Sequence, residues 1–430
     1  MLINFKFSNF KSYKNESNLT FVSNSKIRQL KSHEVKIDKL SVLKNCALYG
    51  SNAAGKSNMI KALSFAKKIV LGANVIGDFS FKGLENKPTT FSFVLSNKKN
   101  NNIYEYTFSI RKHKNLFQGY EVVYEYLGVI NEKNGRIFEF QDNNFEANDK
   151  LNKSKFFSTY TNGYKNITNQ LFLSFLSMED KIIDDEMKNH ILNVYNFFKN
   201  DLIVVSNEKI FNMINTNNIE TISIFLKKYD TGIEKLEFIP CLQDEVAKFA
   251  PIDLINKFIF DAQRNNMKRF SLFNNKELFQ FELAKDKIDV KKMISKHINI
   301  SKSFNFEDES EGTKRIMFLI SVLFANDNDE KVYVIDEIER SMHPLLCTKL
   351  INEFHEINKN SSNQLLFTTH FVGLMDTYIR RDELYFCEKD NYGVSSLISL
   401  QEYKSRTDTI ISKKYLEGRF GGIPNLKVDF

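Results

Sequence analysis

Tryptophan is absent from the 430 residues, prolines number 5 and glycines 16, and the 4 cysteines (Cys46, Cys241, Cys347, Cys387) stand far apart with no C-x-x-C pair. Isolated cysteines exclude a zinc ribbon and a disulfide framework. No Pro/Gly/Ser linker, internal repeat or sustained heptad pattern breaks the chain, so a long coiled coil is not expected. Long apolar runs are missing too. The most apolar stretch, 316–325, falls well short of the roughly 20 residues that span a bilayer. The opening MLINFKFSNFKSYKNE has no apolar h-region, so no signal peptide is expected. Neither sign of charge dominates: 60 Lys+Arg against 53 Asp+Glu leave +7, which permits DNA or an acidic partner without indicating one. A soluble, cytoplasmic protein with no membrane partner is the expectation.

Apolar material is abundant. Hydrophobic residues make up 42%, including 40 Phe and 17 Tyr, which excludes global disorder. The length suggests two or three domains. Residues 1–150 read as strand-rich. Leu2–Phe7 has strand character, Leu43–Tyr49 reads as a buried strand, and Thr90–Leu95, Ile103–Ile110 and Tyr120–Leu127 alternate in the manner of hairpins. Residues 151–300 read as mainly helical, with helices over Ile167–Phe198 and Asn218–Lys228 and a candidate hairpin at Arg269–Ala284. From 301 to 430 helices and strands alternate. Ile316, Leu319, Ile320, Leu323 and Phe324 share one helix face, Val332–Ile335 and Leu365–Thr368 are buried-strand candidates, and Pro344 suits the first turn of a helix. Alternating β and α elements predict an α/β fold with a largely parallel sheet covered by helices.

The strongest chemical signal is Gly50-Ser51-Asn52-Ala53-Ala54-Gly55-Lys56-Ser57, which fits G-x-x-x-x-G-K-[ST], the phosphate loop. The glycines let successive N–H groups point into one concavity at a helix N-terminus, where the dipole favours anions. Lys56 can reach the β- and γ-phosphates of ATP, and the Ser57 hydroxyl can ligate Mg²⁺. An apolar strand precedes the loop. A helix with Met59, Leu63, Ala66 and Val70 on one face follows it. The second signal is Val332-Tyr333-Val334-Ile335-Asp336-Glu337. At the end of such a strand Asp336 can hold Mg²⁺, and Glu337 can act as general base toward water. The third, Glu309-Ser310-Glu311-Gly312-Thr313, lies at a helix start, 26 residues before Asp336 counted from Ser310. Ser310 and Gly312 offer a hydroxyl and N–H donors to a phosphate, or form an ordinary helix cap. The fourth is His370, just past a buried strand and 34 residues after Asp336.

Phosphate loop, S-x-G, Asp-Glu and His in that order resemble the ABC ATPase superfamily. The opening Asn9-Phe10-Lys11-Ser12-Tyr13 resembles the N-terminal strand of SMC and RecF proteins, which implies that Lys11 contacts nucleotide; the alternative is a solvated lysine at a strand end. Three longer strings resemble the RloA and abortive-infection ATPases of bacterial defence loci: Glu309 to Arg315, Asp336 to Pro344, and Tyr415-Leu416-Glu417-Gly418-Arg419-Phe420-Gly421-Gly422-Ile423-Pro424. Asp230-Thr231-Gly232-Ile233 matches them too. The resemblance implies an ABC-type head of two lobes with a mixed sheet: lobe I in 1–150, lobe II in 301–430, and a mainly helical insert between. It implies a homodimer, or a higher homo-oligomer, closed around ATP and Mg²⁺. In it Ser310 and Gly312 serve the partner's nucleotide, and His370 contacts the γ-phosphate. It further implies ATP hydrolysis and control of a separate effector in phage defence. A DNA-repair or chromosome-handling role of the RecF/SMC kind, or a nucleotide-gated scaffold, is the alternative. OLD-type nucleases resemble the same head. Glu388 and Asp390 have no second acidic cluster beside them, so an intrinsic nuclease is not expected.

Overall fold

Strands buried on both faces must be largely apolar, and three such runs lie side by side in one sheet. The computed structural model describes residues 1–97, 101–113, 119–133, 135–142, 144–152, 161–164, 169–178, 185–205, 212–214, 219–241, 243–264, 267–273, 277–284, 288–324, 330–403 and 410–423. Two compact units result: one of residues 1–206, 329–338 and 355–430, the other of residues 207–328 and 339–354. In the first unit a six-stranded sheet runs in the order Leu202–Val205, Val332–Ile335, Gln364–Thr368, Asn45–Gly50, Leu384–Lys389, Ser395–Ser399. Its first five strands are parallel and the last is antiparallel. Helix Lys56–Val70 follows Asn45–Gly50, and its apolar stripe Met59, Leu63, Ala66 and Val70 is buried. The α/β class and the mixed sheet are as expected.

A seven-stranded antiparallel sheet completes this unit, in the order Asn144–Ala147, Arg136–Gln141, Tyr120–Val129, Asn102–Lys112, Thr89–Asn97, Leu2–Ser8, Ser17–Thr20. Alternation of side chains sends Phe5, Phe7, Phe91, Phe93 and Phe108 to the core. There they pack ring against ring: Phe5 on Phe93 at 4.8 Å between centroids, Phe91 on Phe108 at 5.3 Å, Phe93 edge-on to Phe198 at 4.9 Å.

One carboxylate lies inside this core. Glu125 is fully buried and accepts from the Tyr106 hydroxyl at 2.9 Å and from the N–H groups of Phe172 and Leu173 at 2.6 and 2.9 Å. Burial pushes its carboxyl up from the ordinary 4.5 to about 7, against the pull of the three donors. The fold therefore favours the neutral form. Glu125's contribution to stability is complete below pH 4.5 and is lost as the pH rises to about 7, a change of about 3 kcal/mol. Urea unfolding of wild type and Glu125→Gln across that window should show wild type losing ground as the pH rises. A difference independent of pH would mean that Glu125 does not titrate there.

The second unit departs from expectation. Among the described residues of 151–300 helices outweigh strands, but a sheet larger than the one expected hairpin stands beside them. With helices Ile219–Lys227, Gln243–Phe249 and Ile252–Arg264 comes a further sheet in the order Asn212–Ile214, Arg269–Phe273, Leu278–Leu283, Ile288–His297, Ile233–Pro240. The hairpin at 269–284 is real and is the middle of that sheet. Its outer strands escape notice because charged pairs interrupt them, as where Glu237 meets Lys235 at 3.0 Å and Lys296 at 2.8 Å. The boundary at 301 also moves, since helix Glu311–Leu323 belongs to this second unit. Two shorter readings need correction. Leu43–Tyr49 is not one strand, because the buried Lys44 breaks it to place its ammonium 2.9 and 2.8 Å from the carbonyls of Asn358 and Lys359. The helix expected over Ile167–Phe198 is in pieces, Phe172–Ser177 and Asp185–Asn196, with 165–168 and 179–184 outside the described residues.

Candidate functional site

Three neighbouring parallel strands end on the same edge of the central sheet: Val332–Ile335, Gln364–Thr368 and Asn45–Gly50. The segments that follow them are Asp336-Glu337, Thr369-His370 and the loop from Gly50 to Ser57. Sites in open α/β sheets form at such carboxyl ends. Asp336, Glu337, His370 and the phosphate loop are thus gathered on one edge.

The loop has the backbone a phosphate cradle needs. Ala53 takes φ 63° and Gly55 φ 119°. A Cβ on Gly55 would fall 2.6 Å from the Ser395 hydroxyl, so only glycine fits there. The 15-residue helix begins at Lys56, which directs its N-terminal N–H groups and dipole at the concavity. The Lys56 ammonium curls back into the loop, 2.7 Å from the Gly50 carbonyl and 3.0 Å from that of Ser51. Asn52 and Ala53 are exposed, Ala54 is buried and Ser57 is half-buried. A left-handed turn, a helix start and a cation folded into the loop fit a polyphosphate.

On the neighbouring strands Thr368 organises the acidic pair, a role the sequence reading missed. Its hydroxyl donates to Asp336 Oδ1 at 2.6 Å and accepts from the Glu337 N–H at 2.7 Å. The Ile338 N–H donates to the Thr368 carbonyl at 3.1 Å. These bonds hold Glu337 at φ 49°, a left-handed conformation that costs a non-glycine residue about 1–3 kcal/mol and is typical of functional sites. Both carboxylates are half-buried, while His370 is exposed beyond the buried Thr369. An oxygen pair of this kind suits Mg²⁺ and a water molecule.

Lys11 does not aim its charge at the loop. It stands at φ 50° with its ammonium 2.6 Å from the Asp78 carbonyl. Its neighbours hold the loop instead. The Tyr13 hydroxyl donates to the Gly55 carbonyl at 3.2 Å, and the Ser12 hydroxyl lies 2.8 Å from both Asn58 Nδ2 and Ser395 Oγ. No short motif signals these contacts, which join residues far apart in the chain.

Within the second unit Ser310 caps helix Glu311–Leu323 and accepts from the Thr313 N–H at 3.0 Å. Gly312 passes close to the turn after the acidic pair, and a Cβ there would sit 2.6 Å from the Ser341 carbonyl. The preceding Glu309 is buried, and its carboxylate accepts from the Ser295 hydroxyl and from His297 Nε2, the latter at 2.7 Å. Gly232 of the Asp-Thr-Gly turn packs on that same His297 ring. Three separate strings thus meet around the start of one helix.

These features define a P-loop nucleotide-binding protein of α/β architecture. The chain belongs to the family described as "AAA domain, putative AbiEii toxin, Type IV TA system", which residues 46–376 match. Among curated proteins none matches. Three solved structures are similar over most of their length. An SMC head bound to the C-terminal winged-helix domain of ScpA shares 13% identity over 92% of this chain and 96% of that one, at a TM-score of 0.41. The SMC head domain from Thermotoga maritima shares 11% over 93% and 98%, at 0.37. A head with an extended coiled coil, bound to the C-terminal domain of ScpA derived from Pyrococcus furiosus, shares 15% over 97% and 99%, at 0.42. No helix among the described residues is long and apolar enough to cross a membrane.

Proposed function

We propose that this chain is an ABC-type ATPase head that closes on a second copy around two ATP molecules and governs a separate effector in antiviral defence. The observation that carries the ATPase reading is the convergence of Gly50–Ser57, Asp336-Glu337 and His370 on three adjacent parallel strand ends. Bound Mg²⁺–ATP supplies the scissile phosphoanhydride and a dication that offsets its charge. Lys56 and the loop N–H groups bind the phosphates. Ser57 and Asp336 are the oxygen donors for the metal. Glu337 takes the proton of the attacking water, and His370 stands at the γ-phosphate. Ser310 and Gly312 complete the site of the other copy. The family description, with its toxin–antitoxin wording, supports the effector role.

Lys56→Ala tests the foundation. The lysine is the only ammonium folded into the loop among the described residues, and charge-assisted bonds to phosphate are strong. By calorimetry Mg²⁺–ATP should bind roughly 100-fold more weakly, or not measurably. Undiminished binding would remove the phosphate-loop assignment.

A further inference from the structure

We propose that the segment Ile411–Ile423 is a working part of the nucleotide site, with Tyr415 as a positioning residue that holds the first glycine of the phosphate loop. This rests on Gly50–Ser57 binding nucleotide. The Tyr415 hydroxyl donates to the Gly422 carbonyl at 3.0 Å. It thereby holds the turn at Gly421-Gly422 against the hinge of the loop, where the strand ends at Gly50. The Tyr415 ring is buried, stacked on Phe386 at 5.3 Å and edge-on to Tyr49 at 6.0 Å. Phe420 stacks on the same Phe386 at 5.4 Å, and Tyr403 donates to the Phe420 carbonyl at 2.9 Å.

The Gly421-Gly422 turn is seated with little tolerance. A Cβ on Gly421 would fall 1.0 Å from Glu388 Oε1, so the carboxylate is seated against the turn. A Cβ on Gly422 would lie 3.3 Å from the Gly50 Cα. Glu388 thus anchors this turn.

The segment also reaches the loop that follows His370. Asp376 Oδ1 accepts from the N–H groups of Ile411 and Ser412 at 2.6 and 3.3 Å. Tyr49 donates to the Phe371 carbonyl at 3.2 Å. Both sides of the nucleotide site, the phosphate loop and the stretch carrying His370, are tied to one short piece of chain. A loop whose N–H groups are preset binds phosphate better than one that must be ordered by it. Loosening Gly50 should then weaken nucleotide binding without touching the groups that do chemistry.

The test is titration of the full chain with mant-ATP and Mg²⁺, comparing wild type, Tyr415→Phe, Glu388→Ala and Lys56→Ala. Tyr415→Phe keeps the ring packing and removes the hydroxyl. It should raise Kd, and KM for ATP, roughly three- to ten-fold with kcat unchanged. Its unfolding temperature without nucleotide should match wild type. Glu388→Ala should move Kd the same way. If both bind mant-ATP as wild type does while Lys56→Ala does not, the segment is mere packing and the proposal falls. A drop in unfolding temperature that accompanies every loss of affinity would also overturn it. If Lys56→Ala itself binds as wild type does, the nucleotide reading beneath the proposal has failed first.

Discussion

Glu337→Gln should bind Mg²⁺–ATP as tightly as wild type and hydrolyse it on the order of 10²–10⁴ times more slowly. An amide has the shape of the carboxylate but cannot accept the water's proton. The backbone of this residue, held at φ 49°, keeps the bond from its N–H to the Thr368 hydroxyl in the variant. Asp336 keeps its bond to the Thr368 hydroxyl, so the metal donor stays in place. Binding and turnover should therefore separate. Single-turnover phosphate release measures the second, and mant-ATP titration the first. A variant that releases phosphate at the wild-type rate would place the general base elsewhere. If it closes as proposed, the same variant should accumulate the ATP-bound dimer, the form from which the proposed effector should be most readily recovered.

The chemistry-bearing strings were legible because each is local. A phosphate loop, an apolar strand ending in Asp-Glu and a strand ending before His370 carry their backbone geometry within a few residues. Val332–Ile335 and the helix from Pro344 were read to the residue. What stayed hidden depends on partners far away in the chain. Thr368 looks like any strand residue until Asp336 lies beside it. From opposite ends of the sequence Tyr13 bonds the phosphate loop at Gly55, and Tyr415 bonds the Gly422 turn that packs on Gly50. The sheet of the second unit was missed for another reason. Its outer strands keep charged residues on an exposed face and satisfy them across the ladder, as Lys296 does with Glu237 at 2.8 Å, so hydrophobic alternation is diluted. Lys11 departs in the opposite direction: it lies in the turn beyond strand Leu2–Ser8, where a left-handed backbone and the Asp78 carbonyl take its side chain.

Ser310→Asp should abolish ATP-driven dimerisation while leaving ATP binding by the single chain nearly unchanged. Ser310 is the better probe of the S-x-G segment than Gly312, whose replacement would press on the Ser341 carbonyl at 2.6 Å and disturb the turn after the acidic pair. Aspartate caps a helix as well as serine does, and its charge suits a helix N-terminus. The fold should therefore be as stable as wild type, within about 0.5 kcal/mol. In the proposed dimer the new carboxylate would face the γ-phosphate bound by Lys56 of the second copy, and like charges at that distance oppose closure. Ser310→Ala is the matching control. It loses the bond from the Thr313 N–H, which costs about 1 kcal/mol of helix stability, but adds no charge, so it should still dimerise. Mixing Ser310→Asp with Lys56→Ala sharpens the result. In the mixed dimer one composite site carries both lesions and the other neither, so hydrolysis should partly return if one intact site suffices. Light scattering is the decisive readout. Dimers of Ser310→Asp that form with ATP as readily as those of wild type would reduce the Ser310–Gly312 segment to a helix cap and end its assignment to the partner's nucleotide.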